Sequence, residues 1–167
     1  FAKSEIVPSN KDRFLRKETL QGFVHDEASA FFGGLAGNAG LFSTARDVAR
    51  VYQMLLNGGE IDGQRYLSKE TCQLFTTETS KISRRGLGFD KPDADDPKKG
   101  NCAPAAPAEV YGHTGFTGTC AWVDPMNELV YVFLSNRIYP DVTTRKLNQL
   151  HIRERIQGAI YDAMKKK

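Results

Sequence analysis

The segment most suited to chemistry is 111–119, which reads Tyr-Gly-His-Thr-Gly-Phe-Thr-Gly-Thr. His113 offers one titratable donor and Thr114 one hydroxyl, and the small residues around them leave backbone amides open to a close approach. Groups of this kind suit an oxyanion or a carboxylate. On residue types alone, however, a glycine-rich bend before a hairpin is the favoured interpretation.

The elements that must position this segment predict an α+β fold, with an antiparallel sheet and helices laid on it. Residues 119–124 alternate and 129–135 are apolar on both faces, and a turn sequence at 124–128 lies between them. This pattern predicts an antiparallel hairpin whose second strand is covered on both sides. A further short strand is predicted at 86–90.

Three helices are predicted from capping residues and apolar periodicity. The first follows Ser43 or Thr44 as its N-cap, has apolar residues at i, i+3, i+4 and i+7, and ends at 57–59, Asn-Gly-Gly. The second spans about 69–77, and the third is long, about 143–165. The apolar stripe predicted for the long helix consists of Ile152, Ile156, Ala159, Ile160 and Ala163.

The other stretches are predicted to be connections. Residues 1–24 read as an extended lead-in, and 91–108, rich in Pro, Asp, Lys and Ala, as an exposed loop. Four glycines between 33 and 40 disfavour a helix or strand interior there. The large apolar residues at either end of that stretch suggest a loop pinned to a core.

Charge and composition exclude several classes of function. The 167 residues carry 23 Lys+Arg against 20 Asp+Glu, and the run 165–167 supplies the whole excess of +3. We expect no nucleic-acid partner, because the chain has no basic stripe and no aromatic platform. No apolar run reaches the roughly 18 residues of a membrane helix, so no membrane span is expected.

The three cysteines and three histidines predict no metal site, because none has the spacing of a ligand pair. Cys102 and Cys120 could form a disulfide, although a buried free thiol is the favoured state of each.

Several stretches, in order along the chain, carry a family resemblance. They are 24–27, 33–45, 53–59, 85–89 (Arg-Gly-Leu-Gly-Phe), 111–119 and 133–137. Together they resemble the C-terminal part of the class C β-lactamase-related serine hydrolases, a fold shared with D-Ala-D-Ala peptidases and esterases. The resemblance covers nearly all of 1–167 and looks closest to modules of Bacteroidetes-type envelope proteins, some of which follow a family 3 glycoside hydrolase domain. It implies a partial β-lactamase/transpeptidase-like fold and a periplasmic or cell-envelope location.

The resemblance also implies roles for residues. His113-Thr114-Gly115 matches the family's Lys/His-Thr-Gly triplet in its His variant, so His113 and Thr114 would contact a substrate carboxylate and help to move a proton. If His113 holds that carboxylate as a cation, affinity should weaken as the pH rises. The backbone N–H of Phe116 would be half of the oxyanion hole. The candidate substrate-binding residues are Gly115, Tyr111 and Arg137.

Alternatives stay open for several of these residues. Tyr111 is equally compatible with core packing, and Arg137 with a structural ion pair or a helix contact. His25 and Asp26 could orient a proton, but a hydrogen-bonded pair on a loop is the favoured interpretation.

Two motifs of the family are missing from the sequence. The family nucleophile lies in Ser-x-x-Lys and a second motif reads Tyr-x-Asn or Ser-x-Asn, and neither occurs in the 167 residues. Because family members place both motifs N-terminal to the matched region, we expect this chain to be the C-terminal segment of a serine hydrolase. The whole enzyme would open an amide or ester by acyl-serine chemistry without a metal or organic cofactor, and this chain alone would be inactive.

The substrate of such an enzyme would be a β-lactam, a peptidoglycan-derived peptide or a small ester. The rival interpretation is a non-catalytic accessory module that binds peptidoglycan or a partner within a larger envelope enzyme. In this fold the first strands come from the N-terminus, so we expect an exposed sheet edge and exposed apolar helix faces. Such surfaces predict a missing N-terminal companion segment or self-association.

Overall fold

The computed structural model of the chain describes residues 2–77, 80–93, 95–96 and 100–166. Its strands are β1 (Pro8–Lys11), β2 (Thr19–Gln21), β3 (Glu60–Ile61), β4 (Gln64–Arg65), β5 (Tyr111–Thr114), β6 (Cys120–Asp124) and β7 (Leu129–Phe133). Its helices are α1 (Glu27–Phe31), α2 (Ala45–Leu56), α3 (Lys69–Thr77), α4 (Lys146–Gln149) and α5 (Ile152–Met164). Two antiparallel hairpins, β1-β2 and β3-β4, accompany an antiparallel sheet of order β5-β6-β7, which confirms the α+β prediction. Within this described part, no helix combines the length and the apolarity that a bilayer span requires.

The hairpin predicted at 119–135 is confirmed as β6 and β7. Asp124 Oδ1 accepts hydrogen bonds from the backbone N–H groups of Met126 (2.9 Å) and Asn127 (3.1 Å), which stabilises the turn. The second strand is covered less completely than the first: all of β6 is buried, whereas most of β7 is half-buried. β6 lies between two strands, whereas no strand among the described residues pairs with the outer edge of β7.

One face of the sheet forms the hydrophobic core. Alternate residues of a strand share a face, so Cys120 and Trp122 of β6 lie beside Tyr131 of β7. The buried cluster consists of Cys102, Val110, Cys120, Trp122 and Tyr131. Trp122 is 1% exposed, and replacing a buried aromatic of this kind by alanine costs roughly 3–5 kcal/mol. Cys102 and Cys120 are both free thiols.

Helix α5 closes this face with polar side chains. Tyr161 donates from its hydroxyl to Asp124 Oδ2 at 2.9 Å. Gln157 Oε1 accepts from the backbone N–H of Ala103 at 2.8 Å. Asp124 and the N–H of Ala103 would destabilise the fold if they were buried without hydrogen-bonding partners. α5 therefore packs on the sheet with the face whose side chains can form these hydrogen bonds. The residues that α5 buries are Arg153, Gln157 and Tyr161.

The long helix predicted at 143–165 is wrong in two respects. It is divided between α4 and α5 at His151, whose φ of +48° lies in the left-handed region that ends a helix. Its predicted apolar stripe is also misplaced, since Ile156 is 39% exposed, although Ile160 does pack against the core cluster. The polar contacts of α5 with the sheet, rather than apolar periodicity, decide which face is buried.

Helix α2 begins and ends where predicted and contacts β6 and β7. Tyr52 of α2 meets the edge of Phe89, with ring centroids 6.3 Å apart, and Phe89 lies 5.2 Å from the ring of Tyr111. Tyr111 pairs with Val123, whose side chain points to the face opposite the core cluster. Two helices therefore cover the sheet, α5 on one face and α2 on the other.

The connections differ from their predictions at three places. Residues 1–24 include the hairpin β1-β2 instead of a plain extended lead-in. Of the strand predicted at 86–90, only Asp90 takes part in a bridge, with Gly112. The loop 91–108 is not exposed throughout. Lys91 is buried and donates from Nζ to the carbonyl of Thr76 at 3.1 Å, and Cys102 is buried in the core cluster, next to the contact of Ala103 with α5. Positions 94 and 97–99 of that loop lie outside the described residues.

The glycine-rich loop at 33–40 is not pinned to a core as expected. Its flanking apolar residues are open to solvent, with Phe32 78% and Leu41 86% exposed. An open hollow of about 440 Å³ lies on this surface and is lined by Leu35, Ala36, Gly40, Leu41 and Phe42.

A buried ion pair fixes the outer edge of β5. Asp90 is fully buried, and its carboxylate accepts from Arg84 Nε (2.7 Å), Arg84 Nη2 (3.0 Å) and Asn101 Nδ2 (2.8 Å). The backbone of Asp90 exchanges two hydrogen bonds with Gly112, of 2.7 and 3.1 Å. We call these residues, Arg84, Asp90, Asn101 and Gly112, the Asp90 clamp.

Gly112 allows β5 and β6 to approach closely, and Gly112→Ala should disrupt this approach. A Cβ there would lie 2.1 Å from the carbonyl oxygen of Ala121 and 2.8 Å from the Cα of Trp122. We expect a loss of about 1–3 kcal/mol in the free energy of unfolding, measured by urea denaturation followed by Trp122 fluorescence. Gly37→Ala is the matched control, because nothing lies within 4 Å of its Cβ position. Equal stability of the two variants would contradict the close contact.

The Asp90 clamp should make stability depend on pH in the acid range. Burial by itself would raise the pKa of Asp90, but the hydrogen bonds from Arg84 and Asn101 outweigh it and hold the pKa below its usual value. The clamp therefore stabilises the fold at pH values above about 4, and this contribution is lost as the pH falls through the lowered pKa. Asp90→Asn should lower the free energy of unfolding by about 3 kcal/mol at pH 7. It should also weaken the dependence of that free energy on pH in the acid range, which urea denaturation at several pH values measures. If Asp90→Asn loses stability at acid pH as steeply as the wild type, other carboxylates and not Asp90 cause the acid dependence.

Candidate active site

The predicted site lies on an open edge of the sheet. β5 pairs with β6 along its length, and on its other side only the bridge between Gly112 and Asp90 is made by the described residues. The backbone of Thr114 points the same way as that of Gly112, since residues two apart in a strand face the same edge. Next to His113 and Thr114, no described strand pairs with this edge.

A tight turn follows Thr114. The N–H of Gly115 donates to the carbonyl of Thr119 (2.8 Å), and the N–H of Gly118 donates to the carbonyl of Gly115 (2.9 Å). Gly118 has a φ of +99°, a conformation that glycine adopts without strain. The turn places Phe116 at its tip, 60% exposed. The bend favoured from residue types alone is thus present, and it lies at the end of the open edge.

Two polar groups at this edge have no partner within the described residues. The N–H of Phe116, the predicted oxyanion donor, makes no hydrogen bond there, and neither does the hydroxyl of Thr114. Strand-edge donors without protein acceptors are the groups that a bound oxyanion or carboxylate can use. The geometry is consistent with the predicted roles.

The exposed imidazole of His113 is held from both sides. Its Nδ1 lies 2.6 Å from the carbonyl oxygen of Thr114, and its Nε2 lies 2.8 Å from Nη1 of Arg85. The sequence pattern includes Arg85 only as part of the stretch 85–89 and assigns it no role. No sequence signal links two residues 28 positions apart; the Asp90 clamp brings them together by fixing segment 84–90 beside β5.

A second cluster surrounds the ring of Phe116. His25 stacks on this ring, with centroids 5.4 Å apart and the planes 3° from parallel. The guanidinium carbon of Arg137 lies 4.7 Å from the Phe116 centroid, a cation–π distance. Arg137 also donates to the carbonyl of Thr144 at 3.5 Å, and it forms no ion pair with a described carboxylate. Arg137 therefore supports the turn through Phe116, next to the predicted site.

His25 owes its position to the residues before α1. Arg16 pairs with Asp12 and donates from Nη2 to the carbonyl of His25 at 2.9 Å. Asp26 caps α1 by accepting from the N–H of Ser29 at 2.7 Å. Burial, followed by the positive charge of Arg16, lowers the pKa of His25. Its buried Nδ1 has no partner among the described residues, so His25 acts as a neutral stacking ring in place of the proton-orienting pair considered from sequence.

The other candidate residues differ in their exposure. Tyr111 is 2% exposed and packs against Phe89, and burial raises its pKa. Tyr111 is therefore buried on the α2 face of the sheet and does not lie at the open edge. Gly115 is half-buried within the turn. Among the described residues, no three His, Cys, Asp or Glu side chains converge in a group that could hold a metal ion.

A sequence model of the Beta-lactamase family matches residues 6–154. The chain belongs to the beta-lactamase family. Among curated proteins, the chain is similar to a putative D-alanyl-D-alanine carboxypeptidase of Escherichia coli (strain K12), with 36% identity over 135 residues. A protein of Salmonella typhi with the same description matches with the same identity over the same length. These alignments cover 80% of this chain and 31% of each relative, so the chain spans about a third of the length of these relatives.

Among solved structures, the chain is similar to a penicillin-binding protein homologue from Caulobacter crescentus, with 26% identity and a TM-score of 0.42. The match covers 53% of this chain and 24% of that protein.

The lowered pKa of His25 predicts a pH effect on stability near neutrality. Because the folded protein disfavours the charged imidazole, stability should fall as the pH drops below about 6.5, where the unfolded chain takes up a proton first. His25→Phe keeps a ring against Phe116 without titrating, so its unfolding free energy should change less between pH 7 and 5. Thermal unfolding across this pH range measures the difference. His151→Asn, at an exposed histidine outside the cluster, is the control and should retain the wild-type slope; a loss of slope there instead would contradict the assignment.

Proposed function

We propose that the chain is the C-terminal segment of a serine hydrolase of the β-lactamase/DD-peptidase/esterase group, which opens an amide or ester bond by acyl-serine chemistry. The observation that carries the proposal is the open edge of β5, where exposed His113, the free hydroxyl of Thr114 and the unpaired N–H of Phe116 follow one another. Membership of the beta-lactamase family supports it.

Two of these groups, the Phe116 N–H and the Thr114 hydroxyl, have a direct task in that reaction. The N–H of Phe116 would donate to the oxyanion that forms when a serine attacks the carbonyl, and removing one such donor typically lowers kcat by 10²–10³-fold. The hydroxyl of Thr114 would hold a polar group of the substrate along the strand edge. The position of Phe116 at the tip of the turn, braced by His25 and Arg137, supports this use of its amide.

The attacking serine must come from another segment of the protein. No Ser-x-x-Lys occurs in the 167 residues, and loss of a catalytic serine costs on the order of a millionfold in rate. The solvent-exposed apolar residues near the glycine-rich loop support a companion segment that covers them. These are Phe31, Phe32, Leu35, Leu41 and Phe42.

For the substrate and the location we rely on the relatives. Those described as putative D-alanyl-D-alanine carboxypeptidases support a peptidoglycan-derived peptide or a related small molecule, and hence a periplasmic or envelope location. A β-lactam and a small ester are the other substrates in this reaction class.

Labelling with a fluorescent penicillin tests the proposal. The reading frame upstream should encode a Ser-x-x-Lys, and the complete protein should become covalently labelled, whereas the 167-residue chain should not. Thr114→Val should slow labelling of the complete protein by about tenfold or more, since a hydrogen bond to a charged group is lost. Thr19→Val, on β2, should label at the wild-type rate.

A frame without Ser-x-x-Lys, or a complete protein that takes up no label and hydrolyses no ester, would refute the enzyme proposal. That result would favour the non-catalytic module, which binds peptidoglycan or a partner through the same edge.

A further inference from the structure

We propose that the end of the β1-β2 hairpin docks the protein onto an anionic lipid bilayer. The segment 11–17 reads Lys-Asp-Arg-Phe-Leu-Arg-Lys, and we call it the basic tip. Its apolar side chains enter the bilayer interface while its lysines and arginines bind the lipid phosphates. The inference does not rest on the proposed function, because the basic tip contains none of the residues assigned to the open edge of β5.

Two neighbouring apolar side chains extend from the basic tip into solvent. Phe14 is 86% exposed and Leu15 is 48% exposed. Apolar surface of this kind is stabilised when it leaves water, and a bilayer interface can bury the apolar side chains of a protein that does not span it. An exposed aromatic residue followed by a leucine therefore suits shallow insertion.

Asp12 fixes the backbone that presents these two side chains. Its carboxylate accepts hydrogen bonds from the backbone N–H groups of Phe14 (2.9 Å), Leu15 (3.1 Å) and Arg16 (3.1 Å). The N–H of Asp12 donates to the carbonyl of Glu18 at 2.9 Å, which closes the end of the hairpin. The basic tip is therefore ordered before it meets a ligand, and less conformational entropy is lost on docking.

The accessible charge of the basic tip is positive. Arg16 pairs with Asp12, so these two charges cancel within the tip. The remaining charged side chains are exposed, and none of them forms an ion pair with a described carboxylate; they are Lys11, Arg13 and Lys17.

Two carboxylates lie near these cations without pairing with them. Glu18, which follows the tip, leaves the three cations in excess. Hydrogen bonds from Thr143, and then the charge of Arg13, lower the pKa of Asp141, but no ion pair joins Asp141 to Arg13. The cations therefore remain available to an external anion.

Charge separates the basic tip from the other exposed apolar surface of the chain. The stretch 28–45, which holds the exposed residues near the glycine-rich loop, contains no charged residue. An uncharged apolar surface suits a second apolar protein segment. In the basic tip, cations flank the apolar pair, and this combination is typical of a segment that binds anionic lipid headgroups and inserts among them.

A bilayer fits both halves of this pattern. A soluble phosphate would bind the cations alone and would leave Phe14 and Leu15 in water. An anionic bilayer provides phosphates for Lys11, Arg13 and Lys17 and an apolar boundary for the two side chains between them. The envelope location proposed above would place the protein near such a surface.

Vesicle binding by the complete protein tests the charges. Vesicles that contain phosphatidylglycerol should bind it at least about tenfold more tightly than vesicles of phosphatidylcholine alone. About 1 M salt should abolish this preference, because it shortens the Debye length to about 3 Å. The triple variant Lys11→Gln, Arg13→Gln, Lys17→Gln should also lose the preference, since each cation near an anionic surface contributes about fivefold to the affinity.

A second triple variant is the matched control for net charge. It is Arg46→Gln, Lys69→Gln, Arg155→Gln, which removes the same charge from exposed positions on α2, α3 and α5. This control should bind both kinds of vesicle as the wild type does. An equal loss of binding in the two triple variants would overturn the inference, because net charge and not the basic tip would then account for binding.

Two substitutions test whether Phe14 enters the bilayer. Phe14→Ser should weaken binding to anionic vesicles by about tenfold or more, since an apolar side chain is no longer buried. Met126→Ser, at a 66% exposed position in the turn between β6 and β7, should bind as the wild type. The emission of Phe14→Trp should shift to the blue on anionic vesicles and be quenched by lipids brominated on their acyl chains. The wild type, whose Trp122 is 1% exposed, is the background and should show neither change.

Three further results would overturn the inference. The first is binding that is no stronger to anionic than to neutral vesicles. The second is displacement from the vesicles by inorganic phosphate too dilute to screen charge, which would indicate a soluble-anion site. The third is a blue-shifted emission of Phe14→Trp without vesicles, which would show that another segment of the complete protein covers the basic tip.

Discussion

The ion pair between the buried carboxylate of Asp90 and Arg84 holds segment 84–90 against β5, the strand that carries the candidate site. A carboxylate with no solvent access is tolerated only when its charge and hydrogen-bonding capacity are met, and here three side-chain donor atoms and the backbone N–H of Lys91 meet them. The same residue exchanges two backbone hydrogen bonds with Gly112. One buried charge therefore determines where segment 84–90 lies, and with it which side chain stands beside His113.

Hydrogen-bonded polar groups recur on the core face of the sheet. α5 is held by Tyr161 on Asp124 and by Gln157 on the backbone of Ala103, above the aromatic cluster around Trp122. Hydrogen bonds of this kind each contribute only about 1 kcal/mol net, but leaving any of them unmade costs more, so they select one orientation of the helix. Hydrophobic burial stabilises this core, while the polar contacts determine how α5 is oriented against the sheet.

The open edge of β5 is bordered by two clusters of different character. On one side the pair Arg85 and His113 is charged and exposed. On the other side the ring of Phe116 packs against both His25 and Arg137. These contacts fix the turn that carries the backbone N–H of Phe116. The turn that carries the Phe116 N–H and the exposed side chains at His113 lie along the same short strand. This is the physical basis of the proposal that the edge forms one wall of a hydrolase site.

The sequence by itself determined several of the elements and pointed to segment 111–119. The capping residues and periodicity of α2, the hairpin β6-β7 and the turn within 111–119 follow from short-range patterns, because the φ/ψ preferences and alternation that produce them act over a few residues. The ordered stretches were also sufficient to place the chain in its family, which the match over 6–154 confirms.

Only the tertiary structure decided which strand is central, which face of α5 is buried and which residues meet His113 and Phe116. Arg85 reaches His113 across 28 positions, and His25 reaches Phe116 from the other end of the chain. Such contacts form when long loops close and buried polar groups find hydrogen-bonding partners. Whether they form depends on the loop-closure entropy and the energy of those hydrogen bonds, and neither can be predicted from a short stretch of sequence.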